Sequence, residues 1–164
     1  MTAGLCILGF FAVRRLHRDY VRYRLMQENP VIVIEDLDIK APVLEGTDND
    51  VLSRAVGHFP DTGEPGQGNY CIAGHSSVLY KEYFNRLKNV RDGMEIQLFD
   101  KDKNCYVYSV CDSFIVDPGD TWILEDKGDV RITIVTCTDD GSQRLVVVGQ
   151  YQPKNSSLIV RNYS

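Results

Sequence analysis

Cys137 is the residue whose type and surroundings best suit covalent chemistry. It ends the apolar stretch RITIVTC, a polar turn TDDGSQ follows, and Arg144 then opens a second apolar stretch. Two strands joined by a short turn lie side by side, so Arg144 is expected beside Cys137. A nearby cation favours thiolate and stabilises negative charge on a carbonyl oxygen, as acyl transfer requires. From this segment alone, an idle thiol beside a solvated arginine explains the residues equally well.

His75 is the histidine best placed to exchange protons with such a thiol. It follows the strand NYCIAG and precedes small polar residues, which leaves the imidazole room to face a cleft. His17, in a basic stretch, and His58, near a loop, compete for the role, because separation along the chain does not fix distance in the fold. A single histidine in a strand is more often structural than catalytic, so this assignment needs support from the whole chain.

The stretch that ends at Cys137 is a strand with a period of two. Ile132, Ile134 and Thr136 share one face, and the opposite face carries Thr133, Val135 and Cys137. The more apolar phase is expected to face the core. Cys137 is then accessible on the other side, whereas a buried structural cysteine favours the apolar phase.

The elements that must position these residues are mostly strands. Strands are expected within residues 31–46 (two), 69–75, 94–99, 104–116, 130–137 and 144–149. Short helices are expected after a cap at Asp48 or Asn49, with apolar residues as far as Val56, and over residues 78–90. Because no β-α-β alternation appears, the fold class is mainly β, a mainly antiparallel barrel or sandwich with short peripheral helices.

Composition bounds the possible functions. The chain has 164 residues, of which 43% are hydrophobic and 25% charged, as expected for one folded domain. A net charge of -5, with Lys and Arg scattered after the first thirty residues, argues against nucleic acid as a partner. Five cysteines without a C-x-x-C pair make a zinc ribbon a poor explanation and leave at least one thiol outside any disulfide.

The first segment differs from the rest. Residues 3–13 are apolar and uncharged, and the basic stretch RRLHRDYVRYR follows as a helix that ends near Asn29 and Pro30. Such a run is shorter than the roughly twenty residues of a membrane span. Part of a membrane anchor is the favoured interpretation, and a signal-type segment or short buried helix is the alternative. The arginines that follow the apolar run oppose a simple topology, since positive charge usually marks the cytoplasmic side.

Three motifs together resemble the sortases, cysteine transpeptidases of the outer face of Gram-positive bacteria. The family has a T-L-x-T-C strand, an arginine that opens the next strand, and an upstream histidine in a G-H context. This chain has TIVTC ending at Cys137, RLVV beginning at Arg144, and AGHS around His75, with Ile134 replacing the usual leucine. The resemblance extends over residues 31–150.

The resemblance implies a closed eight-stranded β-barrel over residues 30–164, preceded by an anchor remnant and basic helix at residues 1–29. Cys137 would attack the threonine carbonyl of an LPxTG-like sorting signal and form a thioacyl intermediate that an amine resolves. His75 would act as general acid and base, Arg144 would stabilise the oxyanion, and Thr136 would contact the substrate. No cofactor and no metal are expected, and a solvated acidic turn explains Glu125, Asp126 and Asp129 better than calcium binding does.

The resemblance also implies partners and a location. The partners would be the sorting signal of surface proteins or pilins, an amine from a cell-wall precursor or a pilin lysine, and the membrane through the N-terminal anchor. The enzyme would lie on the extracellular face. Residues 117–129 are too short for the long helix of class B, and no lid motif precedes Val31, which favours a lidless enzyme like classes A, D or E.

Two other functions stay open on the sequence alone. A cysteine peptidase would use the same residues with water as acceptor. A non-enzymatic β-barrel binding module on the cell surface would not need the Cys137 thiol.

Overall fold

The computed structural model of the chain describes residues 2–76 and 83–153. The α-helices are α1 (Thr2–Glu28) and α2 (Asn49–Leu52). The strands are β1 (Val31–Ile34), β2 (Ile39–Glu45), β3 (Val56–His58), β4 (Asn69–Ala73), β5 (Glu95–Phe99), β6 (Cys105–Val116), β7 (Arg131–Cys137) and β8 (Arg144–Tyr151). Short 3-10 helices lie at Glu35–Leu37, Leu87–Asn89 and Trp122–Leu124.

The strands close into a barrel in the order β1-β2-β3-β4-β7-β8-β6-β5. The predicted eight-stranded barrel is therefore confirmed. The pairs β2–β3 and β4–β7 are parallel, and the other pairs are antiparallel, as the mainly antiparallel prediction requires. The β4–β7 pair matters most, because it aligns the strand that leads to His75 with the strand that ends at Cys137.

The barrel interior is filled by alternate residues of the strands. Ile132 and Ile134 of β7 are completely buried there, as their phase predicts, together with Ile96 of β5. Burying one such side chain contributes about 2 kcal/mol. Gly149 of β8 leaves room for the side chains of Ile132 and Ile96 to pack together, since a Cβ at this position would lie 2.9 Å from Ile132.

A second apolar cluster covers the outer face of β7 and β8. Val135 packs there against Val146 of β8 and Ile123 of the segment between β6 and β7. The prediction that this face is accessible is wrong for Thr133 and Val135, which are 1% and 7% exposed. The reason is tertiary, because the β6–β7 segment lies over the face, and β7 is buried on both sides until it reaches Cys137.

The short elements near the barrel depart from the predictions in detail. The side chain of Asp48 caps α2, as predicted, by accepting hydrogen bonds from two backbone N–H groups. Val56 is not the end of this helix but the start of β3. Of the helix predicted over 78–90, residues 78–82 lie outside the described residues, and the rest is a turn with a 3-10 helix at Leu87–Asn89.

The predicted basic helix is the second half of α1. The helix ends where expected, with Asn29 capping the carbonyl of Leu25 through both its backbone and its side chain. Tyr20 and Tyr23 are more than half exposed, so this face does not pack on the barrel. Arg22 makes a barrel contact, donating to the carbonyl of Lys40 in β2. None of the helices within the described residues is both apolar and long enough to pass through a membrane.

Candidate active site

Cys137 and Arg144 face each other across the β7–β8 hairpin. Cys137 is the last residue of β7, Arg144 is the first of β8, and the two are register partners. Directly opposed residues of an antiparallel pair have Cα atoms about 4.5–5.5 Å apart and project their side chains to the same face. Both residues are half-buried, so the thiol and the guanidinium share one accessible edge of the barrel.

His75 lies on the other side of Cys137. In the parallel β4–β7 pair Ala73 is level with Val135, and the N–H of Gly74 donates to the carbonyl of Val135 at 3.1 Å. The pairing ends there, and extending the same register by two residues puts His75 level with Cys137, with neighbouring strands about 4.8 Å apart. The fold thus brings the predicted histidine, cysteine and arginine to the same end of three adjacent strands.

The hydroxyl of Thr136 joins the two strands at this level. It donates to the carbonyl of Gly74 at 2.8 Å, and the residue is 3% exposed. The hydroxyl therefore holds the backbone just before His75 against the backbone just before Cys137. Substrate contact by Thr136 stays a prediction, and the strand-joining hydrogen bond was not foreseen, since sequence does not give the partner of a buried hydroxyl.

Phe84 fixes the segment around His75 from a second direction. Its N–H donates to the carbonyl of His75 at 3.2 Å, and its ring is 1% exposed. A Cβ on Gly74 would lie 2.6 Å from this ring, closer than any normal contact. The glycine before the histidine is thus required by packing, and the G-H pair was the signal that could have pointed to it.

The turn between β7 and β8 is held by its own hydrogen bonds. The N–H of Thr138 donates to the carbonyl of Gln143 at 3.1 Å, and the Asp140 carboxylate accepts from the hydroxyls of Thr138 and Ser142 at 2.6 and 2.8 Å. These hydroxyl donors lower the pKa of Asp140 to about 2. The Asp140 carboxylate is therefore ionised at neutral pH and keeps these hydrogen bonds, which hold the turn between Cys137 and Arg144 in one conformation.

The Arg144 guanidinium lies against this turn. Its Nη1 donates to the carbonyls of Gln143 and Gly141 at 2.9 and 3.3 Å. The structure shows no acceptor for its Nε or Nη2 among the described residues. Arginine has five N–H donors, so this side chain retains donors for a negatively charged or carbonyl oxygen.

The Cys71 thiol and the competing histidines are less suited to the role. Cys71 is completely buried, and this burial raises the pKa of its thiol to about 12. His58 is 6% exposed, with Nδ1 2.9 Å from a Glu45 carboxylate oxygen and Nε2 3.1 Å from the carbonyl of Gly63. His17 lies on the exposed part of α1. Neither histidine has a free imidazole at the end of β7.

Two of the three acidic residues weighed for calcium, Asp126 and Asp129, already have hydrogen-bond partners within their own loop. The carboxylate of Asp129 accepts from the Arg131 guanidinium at 2.8 and 2.6 Å, and Asp126 accepts from the N–H of Gly128. Over residues 2–76 and 83–153, no three His, Cys, Asp or Glu side chains are grouped as metal ligands would be.

Fold and side-chain placement define a closed β-barrel protein with a cysteine-centred candidate site at one end of its strands. A sequence model described as the sortase domain matches residues 32–152, well over half of the chain. The chain therefore belongs to the sortase family, and the resemblance noted from three motifs is confirmed.

Similar proteins support the same family. Sortase A of Bacillus anthracis is 31% identical over 120 residues, which cover 72% of this chain and 57% of that protein. Sortase A of Streptococcus agalactiae is 29% identical over 141 residues, 78% of this chain and 57% of that protein. The chain thus spans little more than half the length of these curated relatives.

Solved structures agree with the barrel. That of a Clostridium perfringens sortase D5 transpeptidase matches with a TM-score of 0.70 at 31% identity, over 76% of this chain and 79% of that one. Sortase A of Listeria monocytogenes matches with a TM-score of 0.71 at 26% identity, over 77% of this chain and 88% of that one.

Proposed function

We propose that this protein is a cysteine transpeptidase that cleaves an LPxTG-like sorting signal after threonine and transfers the threonyl carbonyl to an amine. The observation that supports it most is the strand register around Cys137: Arg144 is its partner in β8, and the parallel β4–β7 pairing runs to within two residues of His75 and Cys137. Family membership supports the reaction class.

In the first half-reaction the Cys137 thiolate attacks the carbonyl carbon of the threonine. A C–S bond forms, the C–N bond to the following residue breaks, and His75 as imidazolium gives its proton to the leaving amine. The product is a thioester on Cys137 and a neutral imidazole.

In the second half-reaction an acceptor amine attacks the thioester. The C–N bond forms, the C–S bond breaks, and His75 takes the proton that the amine loses, which restores thiolate and imidazolium. In both steps the carbonyl oxygen carries negative charge, and the unused N–H groups of Arg144 are suited to stabilise it. Thr136 would contribute by holding the two strands together and by lying beside the substrate.

Turnover of a labelled LPxTG peptide, with and without triglycine or a diamine, tests the proposal. We expect an amine-dependent conjugate, undetectable in Cys137→Ala, with kcat lower by roughly 10²–10⁴-fold in His75→Ala. Arg144→Ala should lower kcat by roughly 10²–10³-fold. Cys111→Ala is the matched control, because this thiol is exposed on β6 and should leave the rate unchanged.

Two outcomes would replace the proposal. Hydrolysis at the same rate with and without amine would make the protein a cysteine peptidase. Full ligand binding with no product, unchanged in Cys137→Ala, would make it a non-enzymatic binding module.

The partners and location follow from the same proposal. The peptide would come from surface proteins or pilins and the amine from a cell-wall precursor or a pilin lysine, with the barrel on the extracellular face. Anchoring would be through the N-terminal segment, whose basic half is the second half of α1 and leads into β1. A lidless class A-, D- or E-like enzyme fits best: the β6–β7 segment holds only the 3-10 helix Trp122–Leu124 within the described chain, unlike class B, and no lid motif precedes Val31 in the sequence.

A further inference from the structure

A second cleft lies at the start of β4, away from the candidate active site. Its volume is about 510 Å³, within the range of small-ligand sites. Its lining includes four carboxylates and two tyrosines, namely Glu45, Glu64, Asp100, Asp102, Tyr70 and Tyr106. We call it the tyrosine cleft. Tyr70 precedes His75 by five residues, or roughly 16 Å along an extended chain, so the tyrosine cleft lies at the opposite end of β4 from His75 and Cys137.

Tyr70 places an unused polar group in the tyrosine cleft. The residue is 3% exposed and its ring stacks on His58 with the centroids 4.4 Å apart. Within the described chain its hydroxyl has no hydrogen-bond partner. Burial, with Glu45 and Glu64 nearby, raises the pKa of this hydroxyl, so it remains a neutral donor and acceptor. No fully buried side-chain nitrogen or oxygen of the described residues lacks a partner, so the Tyr70 oxygen reaches the open cleft, where a ligand can bond to it.

The charge of the tyrosine cleft favours a cation. Four carboxylates line it, and the basic side chains in the lining are Lys101 and the imidazole of His58. Asp100 is held by Asn104, and these hydrogen bonds lower its pKa, while Glu45 faces the His58 ring. Glu64 is exposed, and no partner for its carboxylate exists among residues 2–76 and 83–153.

The loop that carries Glu64 is already fixed in place. The N–H of Gly66 donates to the Tyr108 hydroxyl at 2.9 Å, and the N–H of Gly63 donates to the carbonyl of Asn69 at 2.7 Å. Gly66 adopts a φ of +79° and lies against the Tyr106 ring, where a Cβ would come within 2.6 Å. A preformed cleft binds without the cost of ordering a loop.

We propose that the tyrosine cleft binds an organic cation, an ammonium or guanidinium group held between the Glu64 carboxylate and the Tyr70 hydroxyl. The aromatic ring of Tyr106 provides the kind of surface on which such groups bind. A free diamine and the side chain of a protein lysine present the same chemistry. The site is independent of turnover at Cys137.

The test is a titration of the ¹⁵N-labelled Cys137→Ala protein, which cannot turn over, with cadaverine, blocked lysine amide, calcium chloride and sodium chloride. We expect saturable shifts of the Glu64, Gln67 and Tyr70 amides with both amines. Equal affinity for blocked lysine would indicate a protein side chain as the source, and binding of cadaverine alone a free diamine.

Matched variants separate the cleft from general electrostatics. Tyr70→Phe keeps the ring and should weaken amine binding roughly fivefold, as expected for one hydrogen bond. Glu64→Gln should weaken it roughly tenfold or more, since this bond is charge-assisted. Asp92→Asn, an exposed carboxylate before β5, should change nothing.

Four results would overturn the proposal. These are no saturable shift at the three amides, equal shifts with sodium chloride, tighter binding of calcium than of the amines, or unchanged affinity in both Tyr70→Phe and Glu64→Gln. Because the thiol is absent in this experiment, its result does not depend on whether the protein is a transpeptidase.

Discussion

The substitution Gly74→Ala tests how the fold positions His75. The added Cβ would lie 2.6 Å from Cδ2 and 2.8 Å from Cε2 of Phe84, whereas ordinary contacts begin at 3.4 Å. The ring, or the backbone that carries His75, must therefore move by about 0.8 Å, the difference between 3.4 and 2.6 Å. Phe84 is 1% exposed in the barrel core, so its ring has little space to yield.

The size of the effect follows from this overlap. Overpacking of a core by one methyl group costs about 1–3 kcal/mol. For a domain of this length, that lowers Tm by roughly 3–10 °C. Because Gly74 also accepts the Thr136 hydrogen bond, the shift reaches both sides of the site, and we expect kcat to fall roughly tenfold or more.

Thermal unfolding and peptide turnover measure the two effects. Gly119→Ala is the matched control, since a Cβ there meets nothing within 4 Å and its Tm should not change. Combining Gly74→Ala with Phe84→Leu should cost less stability than the sum of the single changes. Wild-type Tm and kcat in Gly74→Ala would refute the packing argument.

Three further predictions concern the thiols, the turn and the strand junction. At pH 8 a thiol reagent should label Cys137 and Cys111, and should label Cys71 only after the protein unfolds. Burial raises the pKa of the folded Cys71 thiol from 9.0 to about 12. The stability that depends on keeping this thiol protonated is therefore complete below pH 9 and is lost as the pH rises towards 12. Early labelling of Cys71 would contradict its burial. Asp140→Ala should loosen the β7–β8 turn and lower kcat several-fold at neutral pH. The pKa of the Asp140 carboxyl in the folded protein is lowered from 3.8 to about 2, so the carboxylate stabilises the turn above pH 4 and stops doing so as the pH falls through about 2. Equal turnover by Asp140→Ala and the wild-type protein between pH 4 and 8 would contradict this role. Thr136→Val should lower the free energy of unfolding by about 1–3 kcal/mol, because it leaves the Gly74 carbonyl without its donor. Thr136→Ser keeps the hydroxyl and should retain most of the stability measured by denaturant unfolding. Equal losses in the two variants would show that the hydroxyl does not join the strands.

The sequence was a good guide to the strands that carry the site. Period two over residues 130–137 indicated β7 and put Ile132 and Ile134 in the core, and the short turn after Cys137 indicated the pairing with Arg144. These are local signals, because a hairpin and its register depend on neighbouring residues. The Asp48 cap was predicted for the same reason.

The parallel pairings were beyond the sequence. Nothing in residues 69–75 shows that β4 lies beside β7, since β5 and β6 lie between these two strands along the chain although the two are neighbours in the barrel. The position of His75 beside Cys137 was available only through the family resemblance. β3 was missed because a three-residue strand containing glycine has no periodic pattern.

The sequence also did not show that segments distant along the chain bury the outer face of β7. Val135 and Thr133 were expected to be accessible from their phase, but the β6–β7 segment buries them. The roles of Thr136 and Phe84 around Gly74 depend on contacts between residues far apart in the chain, which a single sequence does not specify.

The most direct test of the proposed chemistry is intact-protein mass spectrometry after mixing with an LPxTG peptide and no amine. We predict one acyl adduct whose mass equals the peptide up to threonine, mapped by proteolysis to Cys137 and removed by adding triglycine. An adduct that survives in Cys137→Ala, or a labelled Cys111 in place of Cys137, would contradict the role assigned to this thiol.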